Sequence, residues 1–180
     1  MYEVEIKLRA AHGTVRERLA ATDATREGRR TQRDVYYDAP HREFAATDEA
    51  LRIRHESAEG GETVVLTYKG ARVEGAGKSR PEHETAVGDG DAAAAVLEGL
   101  GFEPAATVEK EREVWRWGEE TVVLDAVAGL GEFVEVEREA PEERVETAHE
   151  ATRERLRELG LDPGEGITTS YLGLLLDARE

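Results

Sequence analysis

The chain has 180 residues, 39% hydrophobic and 36% charged, which is enough for one good core and most simply a single domain over residues 1–180. Its 40 acids and 24 bases give a net charge of −16, which argues against nucleic acid or an anionic membrane as a partner held by bulk electrostatics. Cysteine is absent, which removes disulfides, thiolate chemistry and Cys-based metal sites, and no apolar run approaches membrane-spanning length.

In chain order, Tyr2-Glu3-Val4-Glu5-Ile6-Lys7-Leu8-Arg9 alternates strictly. As a strand it carries Glu3, Glu5, Lys7 and Arg9 on one face and Val4, Ile6 and Leu8 on the other. Ala11 to Ala21 reads as a short helix, with Val15 and Leu19 on one side. Gln32 to Asp38 is rich in strand formers and stops at Ala39-Pro40, and His41 to Thr47 is expected to be irregular. Leu51 to Glu56 and Thr63 to Lys69 read as a hairpin, with Arg52 and Arg54 sharing a face of the first arm and Val65, Thr67 and Lys69 a face of the second. Residues 70–79 are glycine-rich and read as a loop, with Lys78 a solvated surface group. Arg80 to Val87 is the next strand, with Arg80, Glu82 and Glu84 on one side. Asp91 to Leu100 is a helix capped by Asp89 or Asp91, stopped by Gly101, with an apolar stripe of Ala92, Val96 and Leu100. Val108 to Trp117 and Thr121 to Val127 form a second hairpin, with Lys110 and Arg112 on one face of the first arm and Asp125 on the second arm. Glu132 to Glu139 is a strand with Phe133, Glu135, Glu137 and Glu139 on one face. Pro141 suits the first turn of a long helix over Glu142 to Leu159, and Ser170 suits the cap of a final short one.

About eight strands therefore combine with helices at 11–21, 91–100, 142–159 and the C-terminus, an α+β pattern with a mostly antiparallel sheet. One-sided charge recurs from strand to strand, opposite largely apolar faces. Glu109, Glu111 and Glu113 are exceptions, because they put acids on the apolar side, and His83 and Thr85 also fit the pattern poorly. Two architectures fit. An open sheet could pack its apolar face on helices and show its charges to water. Alternatively the sheet closes, helices coat the outside, and the charges line a tunnel wide enough for a small ligand. Only four of the bases are lysines, Lys7, Lys69, Lys78 and Lys110, and three of these fall on the charged faces, which favours the tunnel. The acidic, arginine-rich composition suits a salt-loaded, halophilic cytoplasm, although a high-GC genome would also favour Arg over Lys. No signal peptide is visible, so a cytoplasmic location is expected.

Converging Lys and Arg residues suit a polyanion, and paired arginines suit phosphate oxygens. Converging carboxylates repel one another unless a cation sits among them, and hard oxygen ligands select Mg²⁺ or Mn²⁺. A basic wall facing an acidic wall thus reads as a phosphate chain bridged to divalent metal, for phosphoryl or nucleotidyl transfer. The five histidines show no metal-ligand spacing and read as structural or exposed.

Glu3-x-Glu5-x-Lys7, Leu51-Arg52-Ile53-Arg54, Leu66-Thr67-Tyr68-Lys69-Gly70, Arg80-Pro81-Glu82-His83-Glu84, Lys110-Glu111-Arg112, Leu124-Asp125, the run Gly129 to Glu137 and Ser170-Tyr171 fall in one order along the chain. That order resembles the CYTH domain, or triphosphate tunnel metalloenzyme, superfamily, and its class IV adenylyl cyclase branch in particular. The resemblance implies a closed eight-stranded antiparallel barrel with helices packed outside and triphosphate and metal within. It implies Glu3, Glu5, Glu135 and Glu137 as metal ligands, with Asp125 and Glu84 as further candidates. It implies Lys7, Arg52, Arg54, Lys69, Lys110 and Arg112 as triphosphate ligands, Lys7 and Lys110 also being catalytic. Tyr36 matches a tyrosine that pairs with the motif lysine in some triphosphatases, with a packed barrel aromatic as the alternative. Arg80 is either another phosphate ligand or a partner of Glu82. Some thiamine triphosphatases use a lysine near the C-terminus, and this chain has none after Lys110. Three functions follow as expectations: a Mg²⁺- or Mn²⁺-dependent adenylyl cyclase making cyclic AMP and pyrophosphate from ATP; a triphosphatase acting on tripolyphosphate, thiamine triphosphate or nucleotides; and a binding module without turnover. Barrels of this superfamily often dimerise, so a homodimer is compatible with the resemblance.

Overall fold

A computed structural model describes residues 1–71 and 79–180. Lys78 therefore lies outside the described residues. The strands are β1 (Tyr2–Arg9), β2 (Thr25–Asp38), β3 (Ala50–Ala58), β4 (Gly61–Lys69), β5 (Ser79–Ala86), β6 (Glu103–Trp117), β7 (Glu120–Val127) and β8 (Gly131–Ala140). They close in the order β1-β5-β4-β3-β2-β6-β7-β8, every pairing antiparallel. The eight-stranded barrel expected from recurring charged faces is thus what the chain forms, and both expected hairpins, β3–β4 and β6–β7, are present.

The alternation gives the closed sheet an apolar outside. The outer faces of β1, β6, β7 and β8 bury Ile6, Leu8, Trp115, Trp117, Val122, Leu124, Val134 and Val136. Against them pack Val15 and Leu19 of α1 (His12–Ala20) and Leu156 of α4 (Val145–Glu158), with Leu159 just beyond it. Each such fully buried side chain contributes about 1.5–3 kcal/mol, so the helices favour the orientation that leaves the charged faces inside.

The boundaries differ in informative ways. β2 and β6 are much longer than expected because they pair with each other along most of their length, from Thr25 opposite Arg116 to Asp38 opposite Glu103. The expected irregular stretch holds a short helix, α2 (Phe44–Thr47), which buries Phe44 and ends at Asp48 in the left-handed region, φ 56°. Pro141 precedes a 3-10 turn, Glu142–Arg144, and the α-helix begins only at Val145. α3 (Gly90–Gly99) is capped by Asp89, whose carboxylate accepts from Ala92 N. Its expected stripe is not a core face, since Val96 and Leu100 are 61% and 65% exposed. α5 (Tyr171–Asp177) is capped by Ser170 as expected. No described helix is long and apolar enough to cross a membrane.

Candidate active site

The inward faces enclose a cavity of about 1670 Å³, lined by Glu3, Glu5, Lys7, Arg52, Arg54, Lys69, Lys110, Arg112, Glu135 and Glu137 among others. Register explains the acidic wall. Glu5 stands opposite Glu137 and Lys7 opposite Glu135 on the β1–β8 ladder, and directly paired residues share a face. Glu3, Glu5 and Glu137 each place a carboxylate oxygen within 4.8 Å of the others. Burial pushes the Glu137 carboxyl up to about 8, helped by Glu3, Glu135 and Glu5 and opposed by Arg112. Burial also raises Glu3, although Lys69 pulls the other way. Acids held this close fit a hard divalent cation.

The other acids expected beside a metal have described partners of their own. Glu135 accepts from Arg112 Nη2 at 3.1 Å. Asp125 is fully buried and grips Arg112 through two bonds, from Nε at 2.7 Å and Nη2 at 2.6 Å. Its Oδ2 also accepts the Tyr171 hydroxyl at 2.9 Å and lies 3.6 Å from Lys110 Nζ. Burial alone would raise the Asp125 carboxyl, but Arg112 and Lys110 bring it well below the usual range. Asp125 thus serves as the anchor of an arginine. Glu84 accepts from Thr67 Oγ1 at 3.0 Å and lies 4.0 Å from Arg52 Nη2, so its described contacts are with β3 and β4 and not with the Glu3–Glu5–Glu137 group.

The basic wall is held the same way. Arg54 donates to Asp34 from Nε at 2.7 Å and Nη2 at 2.8 Å, and Arg52 Nη1 lies 3.5 Å from Asp34 Oδ2. Burial would raise Asp34, but hydrogen bonds from Arg54 and the charge of Arg52 drive it far down. Arg52 Nη1 also donates to Tyr36 Oη at 3.4 Å, which places the tyrosine beside an arginine of the wall, and Arg52 Nε is buried without a hydrogen-bond partner among the described residues. Lys69 Nζ lies 3.0 Å from Glu82 and 3.5 Å from Glu3, and these charges raise it despite burial. Arg80 donates to the Asp48 carbonyl at 2.6 Å, so it ties β5 to the end of α2 instead of pairing with Glu82. Lys110 is pushed down to about 7, chiefly by burial and next by Arg112.

Asp34, Glu82 and Tyr171 join the site without having been singled out for it. The parity of Asp34 with Gln32 and Tyr36 on β2 is the signal that could have found it. Tyr171 comes from the start of α5, far along the chain. Its ring lies 4.2 Å from Lys7 Nζ and 4.8 Å from Lys110 Nζ. Burial, then Glu135 and Asp125, raise its phenol far above the ordinary value. Ile167 N donates to the Lys7 carbonyl at 2.6 Å and lashes the segment before α5 to β1.

Residues 1–171 match the CYTH domain family model. The chain belongs to the CYTH domain family. A Methanocaldococcus jannaschii protein whose name proposes adenylate cyclase activity is 31% identical over 97% of this chain and 98% of its own. The solved PH1819 protein of Pyrococcus horikoshii superposes with a TM-score of 0.91 at 37% identity, covering 98% of this chain and 99% of its own. A Hippeastrum protein, described as an adenylyl cyclase candidate with a dominant triphosphatase activity, shares the CYTH fold at a TM-score of 0.70 and 22% identity, over 98% and 95% of the two chains.

Proposed function

We propose that this CYTH protein is an enzyme acting on a nucleoside triphosphate in its tunnel, converting ATP to cyclic AMP and pyrophosphate. The observation that carries this is the facing of the Glu3–Glu5–Glu137 group by a wall of pre-anchored bases in one enclosed space. The cavity, about 1670 Å³, also takes in Phe44, Leu51, Leu172 and Leu176, leaving apolar room for a nucleoside beyond the phosphates.

Arg52, Arg54, Lys69 and Arg112 hold the phosphate oxygens; Asp34 fixes Arg52 and Arg54, Asp125 fixes Arg112, and Glu82 and Glu3 fix Lys69 before substrate arrives, so little ordering remains to be done at the moment of reaction. Lys7 and Lys110, both over the Tyr171 ring, complete the cradle. The ribose 3′ oxygen gives up its proton to solvent water and attacks the α-phosphorus, the bond to the bridging oxygen of the β-phosphate breaks, and pyrophosphate leaves. Lys110, with a pKa near neutrality, supplies a proton-bearing group to the charge growing on that leaving oxygen. Glu3, Glu5 and Glu137 would hold Mg²⁺ or Mn²⁺, which when bound supplies neutralisation of the triphosphate charge.

Hydrolysis is the second reading, because the same cradle serves water as nucleophile and the Hippeastrum protein shows a CYTH fold with dominant triphosphatase activity. Purified protein in high salt, given ATP or tripolyphosphate with Mg²⁺ or Mn²⁺, separates the two. Cyclic AMP is the expected product. Orthophosphate without cyclic AMP replaces cyclisation with hydrolysis, and tight triphosphate binding without either product makes the chain a binding module.

A further inference from the structure

The outer wall carries a second charged cluster that the tunnel does not use. Glu113, one of the acids on the otherwise apolar side of β6, is 4% exposed. Its Oε1 accepts from Trp115 Nε1 at 2.8 Å and Arg16 Nε at 3.1 Å, its Oε2 accepts from Arg29 Nε at 3.1 Å, and Arg26 Nε lies 3.5 Å from Oε1. One guanidinium would neutralise the carboxylate. Three converge on it, on a chain of net charge −16.

The backbone builds this convergence. Arg26 and Arg29 would face opposite sides of a regular strand. A register shift between Arg26 and Gly28, with Gly28 at φ 143°, sets Arg26 opposite Trp115 and Arg29 opposite Glu113, and so brings both to the outer face. All three arginines meet Glu113 through Nε. No hydrogen bond from their terminal nitrogens reaches any described residue, and their side chains are 40%, 45% and 64% exposed for Arg16, Arg26 and Arg29.

We propose that Arg16, Arg26 and Arg29 form an oxyanion site on the barrel wall, outside the tunnel, that takes a tetrahedral phosphate group, either inorganic phosphate or the phosphate of a small monoester. Guanidiniums that share one carboxylate lie within the footprint of one small anion, and their planar forks match phosphate oxygens. Glu113 is the anchor that holds them in place. The exposed acids Glu17, Glu27 and Glu111, adjacent along the chain or the strand, disfavour an acidic polypeptide. Arg29 also borders a cavity of about 300 Å³, room for the organic part of a monoester.

Trp115 is a built-in reporter, because its indole N–H ends on Glu113. The test follows the indole N–H resonances of ¹⁵N-labelled protein at constant ionic strength, with EDTA present, during titration with inorganic phosphate and separately with glycerol phosphate. The Trp115 signal is expected to shift and saturate on the order of millimolar ligand, while Trp117, bonded to Asp23 at 2.8 Å, stays put as a check on the fold. Arg29→Gln and Arg26→Gln should each weaken the response about tenfold, and Arg52→Gln in the tunnel should leave it unchanged. Saturation by phosphate alone assigns the free anion, and saturation by both ligands assigns the monoester phosphate. A Trp115 signal that drifts linearly with both ligands, or saturates equally in the Arg26→Gln and Arg29→Gln proteins, overturns the site.

Discussion

Replacing Glu137 with Gln should stabilise the metal-free protein and abolish its response to metal. The unfolded carboxyl ionises near 4.5, whereas burial and the neighbouring acids hold the folded one at about 8. Between these values the folded state binds a proton that the unfolded state has released, so stability falls as pH rises through the window and stays low above it. At about 1.36 kcal/mol per pKa unit the upper bound is about 5 kcal/mol. Part of the side chain reaches solvent, so about 2–3 kcal/mol is expected at pH 9. Glutamine has the same shape and no charge, and escapes this cost. Urea unfolding followed by tryptophan fluorescence, in EDTA and at constant ionic strength, should show Glu137→Gln ahead of the parent by about 2–3 kcal/mol at pH 9 and by well under half of that at pH 5.5. With millimolar Mg²⁺ or Mn²⁺ at pH 9 the parent should gain and the variant should not, reversing the order. A variant that is less stable than the parent by the same amount at both pH values, or that gains as much from metal, would refute the reasoning.

Two further outcomes probe the basic side. Tyr171→Phe removes only the hydroxyl bonded to Asp125, which keeps Arg112 and Lys110, and should cost about 1–2 kcal/mol in urea with tripolyphosphate affinity nearly kept. Tyr171→Leu also removes the ring beside Lys7 and Lys110, about 0.5–2 kcal/mol for each ammonium, and should weaken tripolyphosphate binding in calorimetry at least tenfold; equal behaviour of the two variants contradicts that role. Lys110, held down to about 7, is largely neutral at pH 8.5 in the free protein, and a bound polyanion raises it. Calorimetric tripolyphosphate binding at pH 8.5 in buffers of different ionisation enthalpy should therefore show close to one more proton taken up by the parent than by Lys110→Met, and no such difference at pH 6, where the lysine is already charged.

Much of the barrel was legible because its signal is local. Strict alternation in residues 2–9 and 51–56, and a looser one in residues 132–139, sets which side chains share a face, and it holds whichever neighbour a strand finds. The scarcity of lysine marked Lys7, Lys69 and Lys110, all of which line the cavity. Partner choice was not legible. Asp125 shares the parity of the metal-side acids, yet Arg112 stands directly opposite it on β6 and takes it. Glu113 seemed misplaced on β6 until the register shift at Gly28 brought Arg26 and Arg29 over it.

The sequence by itself determined which charged residues share a face within each regular strand, and the family's order of motifs, because both depend on residue identity and spacing of two along a strand. Only the tertiary structure decided which acids remain for a cation and which are consumed as anchors. That choice depends on the antiparallel register of β1 on β8 and of β6 on β7, and on Tyr171 arriving from the far end of the chain to meet two lysines. These are contacts between residues distant in sequence, settled by closure of the barrel and the burial of its outer face.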